Sequence, residues 1–149
     1  MTPGLALAAL LALVAVATLA GLVWLKTTGR VRVRSDDAVT VVRPVDVETT
    51  RAFGERATLL QFSTEFCTFC PATRRLLTSL ARQRDGVVHV DVDLTRLPEV
   101  ARRFAVLQTP TTLVLDHRGA VRARIGGPPN PRALESELAR LLGEDHVHA

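Results

Sequence analysis

The order of short apolar runs and amphipathic segments after residue 56 is the feature that most constrains the fold. Their periodicity predicts strand, helix, strand, helix, strand, strand and helix, at residues 57–63, 71–84, 87–93, 97–104, 111–116, 120–126 and 131–142. Strands that alternate with helices favour parallel pairing, whereas the last two strands lie too close in sequence for a crossover. We therefore expect an α/β domain over residues 57–142, with a mixed sheet and helices on both faces.

A second constraint is the N-terminal run from Leu5 to Leu25, which contains no charged residue. About 20 apolar residues are enough to cross a bilayer core as a helix. A cleaved signal peptide needs a basic start and a shorter apolar core, and no Lys or Arg precedes this run. We therefore predict one transmembrane helix at residues 5–25, in contact with membrane lipid.

The charge that follows this run predicts its orientation. Lys26, Arg30, Arg32 and Arg34 together equal the formal net charge of +4. Basic flanking residues tend to stay in the cytoplasm. We expect a single-pass protein of the cell membrane whose C-terminal domain lies on the cytoplasmic side. An extracytoplasmic domain is the alternative, because a folded domain can override the charge of a short flank.

The remaining segments carry little specific information. Residues 26–56 are predicted to be a basic juxtamembrane segment and connector, with one short strand at 38–43, and residues 143–149 a C-terminal tail. Residues 35–149 have no net charge, Tyr is absent and Trp occurs once. Nucleic-acid-binding domains concentrate basic residues in the folded part and often use aromatic stacking platforms. The composition therefore argues against a nucleic-acid partner.

Cys67 and Cys70 are the only cysteines in the chain, and they lie between the first predicted strand and the first predicted helix of the domain. A helix N-terminus leaves backbone N–H groups unpaired and carries a partial positive charge, and both favour a thiolate. We interpret the pair as a redox couple. Cys67 is expected to attack a disulfide, and Cys70, one helical turn further along the chain, to resolve the mixed disulfide.

Other uses of the pair are less favoured. A disulfide that closes such a short loop adds little stability. A structural zinc site needs four ligands, and the 4 histidines (His89, His117, His146 and His148) have no matching spacing. We predict no metal site and no cofactor besides the redox-active disulfide. Transport of a soft metal such as Cu(I) by the thiols and a non-catalytic redox-sensing interaction module stay open as alternatives.

The strand–CxxC–helix unit, the later sequence TPTTLVLD and the closing helix resemble the thioredoxin family over about residues 57–142. The whole chain resembles a membrane-anchored thioredoxin-like protein of actinobacterial type. The resemblance implies a three-layer thioredoxin-like fold and protein-disulfide oxidoreductase activity. It also implies that Pro110 is cis and lies against the cysteines, and that the backbone of Thr109 holds the substrate like an added strand. Phe66 and Gly126 are then expected to line the same groove.

Several positions depart from the usual family pattern, namely Phe66 for Trp, Thr68 and Phe69 for Gly-Pro, Gln61 for Asp and His89 for Lys. The dipeptide between the cysteines tunes the redox potential in this family. Because Gln61 cannot take a proton from Cys70, either water or Glu65 acts as the general base, or no general base assists. His89 is expected to be a hydrogen-bonded core group rather than a catalyst, and the hypothesis is that Gln61 and His89 tune Cys70.

Together these features predict a membrane-anchored thiol–disulfide oxidoreductase that exchanges disulfides with protein substrates. In the cytoplasm the couple is expected to rest as a dithiol and to act as a reductant. No flavin or nicotinamide fingerprint is present in the sequence. A protein electron donor or acceptor is therefore expected as a second partner.

Overall fold

The structure, a computed structural model, describes residues 3–27, 31–33 and 40–143. Residues 38 and 39 of the predicted strand at 38–43, and residues 144–149 of the predicted tail, lie outside these ranges. In the N-terminal helix, solvent exposure is described for Gly4 and for residues 7–23.

The described residues of the domain form helices and strands in the predicted order, preceded by a helix that covers the predicted N-terminal span and by one further strand. The helices are α1 (Pro3–Thr27), α2 (Cys70–Arg82), α3 (Pro98–Arg103) and α4 (Pro131–Leu142), and the strands are β1 (Val31–Val33), β2 (Ala57–Ser63), β3 (Val87–Asp93), β4 (Thr111–Asp116) and β5 (Val121–Gly126). The predicted bounds of β2, β3, β4 and α4 are confirmed, and those of α2, α3 and β5 differ by one or two residues.

The strands form one sheet in the order β1-β5-β4-β2-β3. β2 and β3 are parallel, with Ala57 opposite Val87 and Ser63 opposite Asp93, because α2 carries the chain back across the sheet. β4 pairs antiparallel with the other side of β2, and β5 and then β1 continue the sheet antiparallel. The predicted crossover from β2 to β3, the β4–β5 hairpin and the mixed sheet are confirmed. The parallel pairing expected for β4 is wrong, because β4 runs antiparallel to β2, and β1 is an addition to the prediction.

Two apolar layers cover the two faces of the sheet, because successive side chains of a strand point to opposite faces. On one face Phe62 packs with Val100 of α3. On the other face Leu59 packs with Leu77 of α2 and Leu134 of α4. Full burial of each large apolar side chain contributes about 1.5–3 kcal/mol, so these layers hold the three-layer fold together.

The described part of the connector before β2, residues 40–56, packs into the layer that contains α3, through Val42 and Val47. Val42 is buried there, and Val41 forms a single β-bridge with Ala120. The strand predicted at 38–43 is therefore reduced to one bridge within its described residues. Pro44–Val47 follows as a 3-10 turn, which agrees with the expectation that proline ends extended pairing here.

The predicted N-terminal span corresponds to α1, which has no acidic residue in its first turn. Within the described part of the chain, no helix combines the length and the apolar character needed to cross a membrane. This finding does not support the transmembrane helix predicted at residues 5–25.

Candidate active site

The two cysteines lie at the junction between β2 and α2. Two tight turns lead into the helix, closed by hydrogen bonds from the Cys67 N–H to the Thr64 carbonyl (3.2 Å) and from the Cys70 N–H to the Cys67 carbonyl (3.3 Å). α2 then begins at Cys70, with Pro71 in its first turn and no side-chain cap. The partial positive charge of this uncapped helix end favours a thiolate at the cysteine pair.

Cys67 and Cys70 form a disulfide, with their Cα atoms 5.4 Å apart. Cys70 is only 2% exposed, whereas Cys67 is half-buried. A sulfur atom of another protein can therefore reach Cys67 while Cys70 stays shielded. This asymmetry is what the predicted roles of attacking and resolving cysteine require.

The loop before β4 faces the cysteine turn. The Thr109–Pro110 peptide bond is cis, as the family resemblance implied. The hydroxyl oxygens of Thr109 and Thr64 lie 3.2 Å apart, and Thr64 directly follows β2, three residues before Cys67. Thr64 was not singled out in the sequence, because a lone hydroxyl after a strand is an ordinary turn residue.

Large apolar side chains are exposed in both of these segments. Phe66 is 87% exposed and Phe69 is 58% exposed in the cysteine turn, and Leu107 is 94% exposed in the loop before Pro110. Thr68, between the cysteines, is also exposed. The predicted contact residue Phe66 is thus available to a protein partner, as are Phe69 and Leu107.

Gly126 pairs with Thr111 at the end of the β4–β5 ladder. A Cβ atom at Gly126 would lie 2.5 Å from the Nε2 atom of Gln108, so the Gln108 side chain covers the glycine. Gln108 therefore lines the predicted groove at Gly126. The conformation of the Gln108 side chain decides how much of the glycine a substrate can reach.

A polar network lies beneath the cysteine pair, on the face of the sheet that α2 covers. The Nε2 atom of fully buried Gln61 donates to the Cys70 carbonyl at 3.2 Å. His89 Nε2 lies 3.2 Å from Gln61 Oε1, and His89 Nδ1 lies 3.0 Å from Thr78 Oγ1. The structure thus brings the predicted pair Gln61 and His89 to Cys70, and adds Thr78. Thr78 was missed because it lies among arginines that predict a solvent-facing helix side.

Charged groups surround the accessible sulfur. Arg74 of α2 pairs with Asp91 of β3, from Nε to Oδ2 at 2.7 Å. Arg74, Glu65 and Asp93 line a pocket of about 210 Å³ together with both cysteines. Hydrogen bonds from the Thr95 hydroxyl and N–H lower the pKa of Asp93, so Asp93 is ionised at neutral pH. With Arg74 paired to Asp91, Glu65 and Asp93 make this rim acidic.

Among the described residues, no group of three or more His, Cys, Asp or Glu side chains is arranged to hold a metal ion. Two of the histidines considered in the sequence, His146 and His148, lie outside the described residues.

Comparison with known proteins agrees with this geometry. The sequence model of the thioredoxin family matches residues 44–140. Thioredoxin of Mycolicibacterium smegmatis is 31% identical over 112 residues, which cover 72% of this chain and 99% of that protein. Thioredoxin H5 of Oryza sativa subsp. japonica is 28% identical over 86 residues, which cover 58% of this chain and 62% of the rice protein.

Solved structures show the same fold. A mutant thioredoxin from Halobacterium salinarum NRC-1 has a TM-score of 0.52 at 20% identity, over 59% of this chain and 76% of that chain. Thioredoxin-2 of a malaria parasite has a TM-score of 0.54 at 17% identity, over 72% of this chain and 98% of that chain. The family match spans well over half of the chain and includes the cysteine pair, so the chain belongs to the thioredoxin family and is a thioredoxin-like protein-disulfide oxidoreductase.

Proposed function

We propose that the protein reduces disulfides in other proteins through Cys67 and Cys70, and that it does so as a membrane-anchored enzyme. The observation that carries the proposal is the unequal exposure of the couple. The Cys67 sulfur is reachable just before the N-terminus of α2, whereas Cys70, the first residue of that helix, is almost completely buried. A symmetric structural clip has no need of this difference.

The reaction consists of two thiol–disulfide exchanges. The Cys67 thiolate attacks one sulfur of the substrate disulfide, and the other substrate sulfur leaves as a thiolate that takes up a proton. The Cys70 thiolate then attacks the Cys67 sulfur, which releases the second substrate thiol and leaves the couple as a disulfide. Two electrons pass from the couple to the substrate, and two protons accompany them.

The substrate chain is proposed to lie across the Thr109–Pro110 loop as an extended segment. An extended peptide can bind a protein by backbone hydrogen bonds in the manner of an added strand, and the exposed rings of Phe66 and Phe69 flank the accessible cysteine. Burial of such apolar side chains favours association. We therefore propose protein substrates rather than small disulfides alone.

The reducing direction requires a second partner. A couple left as a disulfide after each cycle must receive two electrons from a dithiol protein before it can act again. In a reducing compartment such a donor keeps the resting couple as a dithiol. We propose that the catalytic domain faces the cytoplasm, because four basic residues follow residue 25 and basic flanks tend to stay on the cytoplasmic side. A reporter fused after Ala149 that is active only outside the cytoplasm tests this directly.

The membrane anchor is proposed for residues 5–25 of α1. This stretch carries no charge, and large apolar side chains along the helix are 50–67% exposed (Leu7, Leu10, Leu11, Leu13, Val14, Val16, Leu19, Leu22 and Val23). A helix that is apolar all round is normally buried in a core or a membrane. Deletion of residues 3–27 should move the protein from the membrane fraction to the soluble fraction, and an unchanged distribution would refute the anchor.

The activity is tested by reduction of insulin disulfides with dithiothreitol as the electron source. The wild-type protein should accelerate the reduction, and Cys67→Ser should abolish the acceleration. Tight Cu(I) binding without any acceleration by the wild type would favour a metal carrier instead. Absence of both would favour a non-catalytic module.

A further inference from the structure

The hydrogen-bond chain beneath the cysteine pair has a fixed direction. A backbone carbonyl only accepts hydrogen bonds, so Gln61 Nε2 donates to Cys70 and Gln61 Oε1 faces His89. An amide oxygen also only accepts. His89 must therefore carry a proton on Nε2, and neutral His89 accepts a hydrogen bond at Nδ1 from the Thr78 hydroxyl.

The same chain accommodates a second proton on His89. Protonation occurs at Nδ1, and the Thr78 hydroxyl changes from donor to acceptor by rotation about one bond. The Nε2–H group still donates to Gln61 in this state. The connection to Cys70 is thus intact in both charge states of the imidazole, whereas a positive charge is present behind the couple in only one of them.

The groups that face His89 determine when it is charged. Burial lowers the pKa of His89 below its ordinary value, Asp91 on the same strand opposes this effect, and Arg51 and Arg74 reinforce it. Gln61 of β2 and Thr78 of α2 are neutral. Because Arg74 pairs with Asp91, the carboxylate only partly offsets the burial. His89 is therefore neutral at pH 7 and gains its charge on acidification.

We propose that His89 is a pH-responsive positioning residue of the cysteine couple. It orients the Gln61 amide that holds the Cys70 carbonyl in both charge states. When protonated, it also stabilises the thiolate of the reduced couple, because an opposite charge nearby favours the ionised form. The inference rests on the proposed function, since it concerns the reactivity of the same two sulfurs.

Alkylation of the reduced, full-length protein by iodoacetamide between pH 4.5 and 8 tests the proposal, because the reagent reacts with the thiolate. Mass spectrometry identifies the Cys67 adduct. At the acidic end of the range we expect wild type to react about fivefold faster than His89→Gln. The reason is that the attraction between protonated His89 and the thiolate, although partly screened by the protein, raises the fraction of thiolate. Above pH 7 the two rates should converge. His117→Gln, at an exposed turn histidine, is the matched control and should follow wild type.

A pair of substitutions at half-buried Thr78 checks the proton site without altering His89. Valine cannot accept a hydrogen bond from protonated Nδ1, so Thr78→Val should shift the acidic enhancement to lower pH. Thr78→Ser keeps the hydroxyl and should retain the wild-type profile. Superimposed profiles of wild type and His89→Gln, or of the two Thr78 variants, would overturn the proposal. Alkylation needs no protein substrate, so this failure is distinct from a failure of wild type to reduce insulin.

Discussion

The Thr64 hydroxyl lies 3.2 Å from the Thr109 hydroxyl, and this contact joins the cysteine turn to the cis-proline loop. The Thr64 carbonyl also accepts a hydrogen bond of 3.2 Å from the Cys67 N–H. One residue therefore sets both the turn that carries the attacking sulfur and the distance to the loop proposed to hold the substrate.

Loss of this contact should impair protein substrates selectively. Thr64→Val removes a hydrogen bond whose net contribution is about 1 kcal/mol, which corresponds to about a fivefold change. We expect kcat/KM for insulin disulfides to fall by about that factor, with little change for a small aromatic disulfide that does not touch the loop. Thr50→Val, at an exposed position, is the control. An equal loss for both substrates would instead indicate a defect in the couple.

Two glycines should differ in their tolerance of alanine. Gly119 has a φ of +78°, and an added Cβ would lie 2.2 Å from the backbone oxygen of Val42. Gly119→Ala should therefore cost about 2–4 kcal/mol in the free energy of unfolding. At Gly126 the obstacle is the flexible end of Gln108, so Gly126→Ala should cost less than about 1 kcal/mol. Urea unfolding measures both, and equal losses would contradict the explanation.

Asp116 should stabilise the β4–β5 hairpin in a pH-dependent way. Its carboxylate, 4% exposed, accepts hydrogen bonds from the N–H groups of Arg118 and Ala120 and from Arg122 Nε, at 2.8, 2.9 and 2.8 Å. Burial raises the pKa of Asp116, but these hydrogen bonds and the Arg122 charge outweigh burial and lower it overall.

Because the folded-state pKa of Asp116 lies below the unfolded value of about 3.9, its contribution is present above that pH and is lost as the pH falls through the folded value. Asp116→Asn should cost about 1–3 kcal/mol of unfolding free energy at pH 7, and the difference from wild type should shrink below about pH 4. Asp85→Asn, in the exposed turn before β3, should leave the free energy of unfolding almost unchanged, both at pH 7 and below about pH 4.

The sequence predicted the strands β2, β3 and β4 to the residue, because each is an apolar run bounded by turn or cap residues. β1 was not predicted. Its sequence Val31–Val33 includes one of the basic residues that follow the predicted span, and its strand state depends on pairing with Ile125 and its neighbours almost a hundred positions away. Local propensity contains no signal for such a distant partner.

The site was predictable where the family resemblance supplied positions, and less so where contacts depend on packing. Cys67, Cys70 and Pro110 follow from motifs. Thr78 and Gln108 do not, because one contacts His89 across the helix–sheet interface and the other folds over a glycine.

The central claim is that Cys67 attacks a protein disulfide and Cys70 resolves the resulting bond. The most direct test is incubation of Cys70→Ser with insulin, followed by non-reducing mass spectrometry of the products. We predict a stable adduct that joins one insulin chain to Cys67 and that disappears with dithiothreitol, whereas wild type and the double variant Cys67→Ser, Cys70→Ser accumulate none. An equal adduct in the double variant, or no adduct in Cys70→Ser while wild type reduces insulin, would contradict this mechanism.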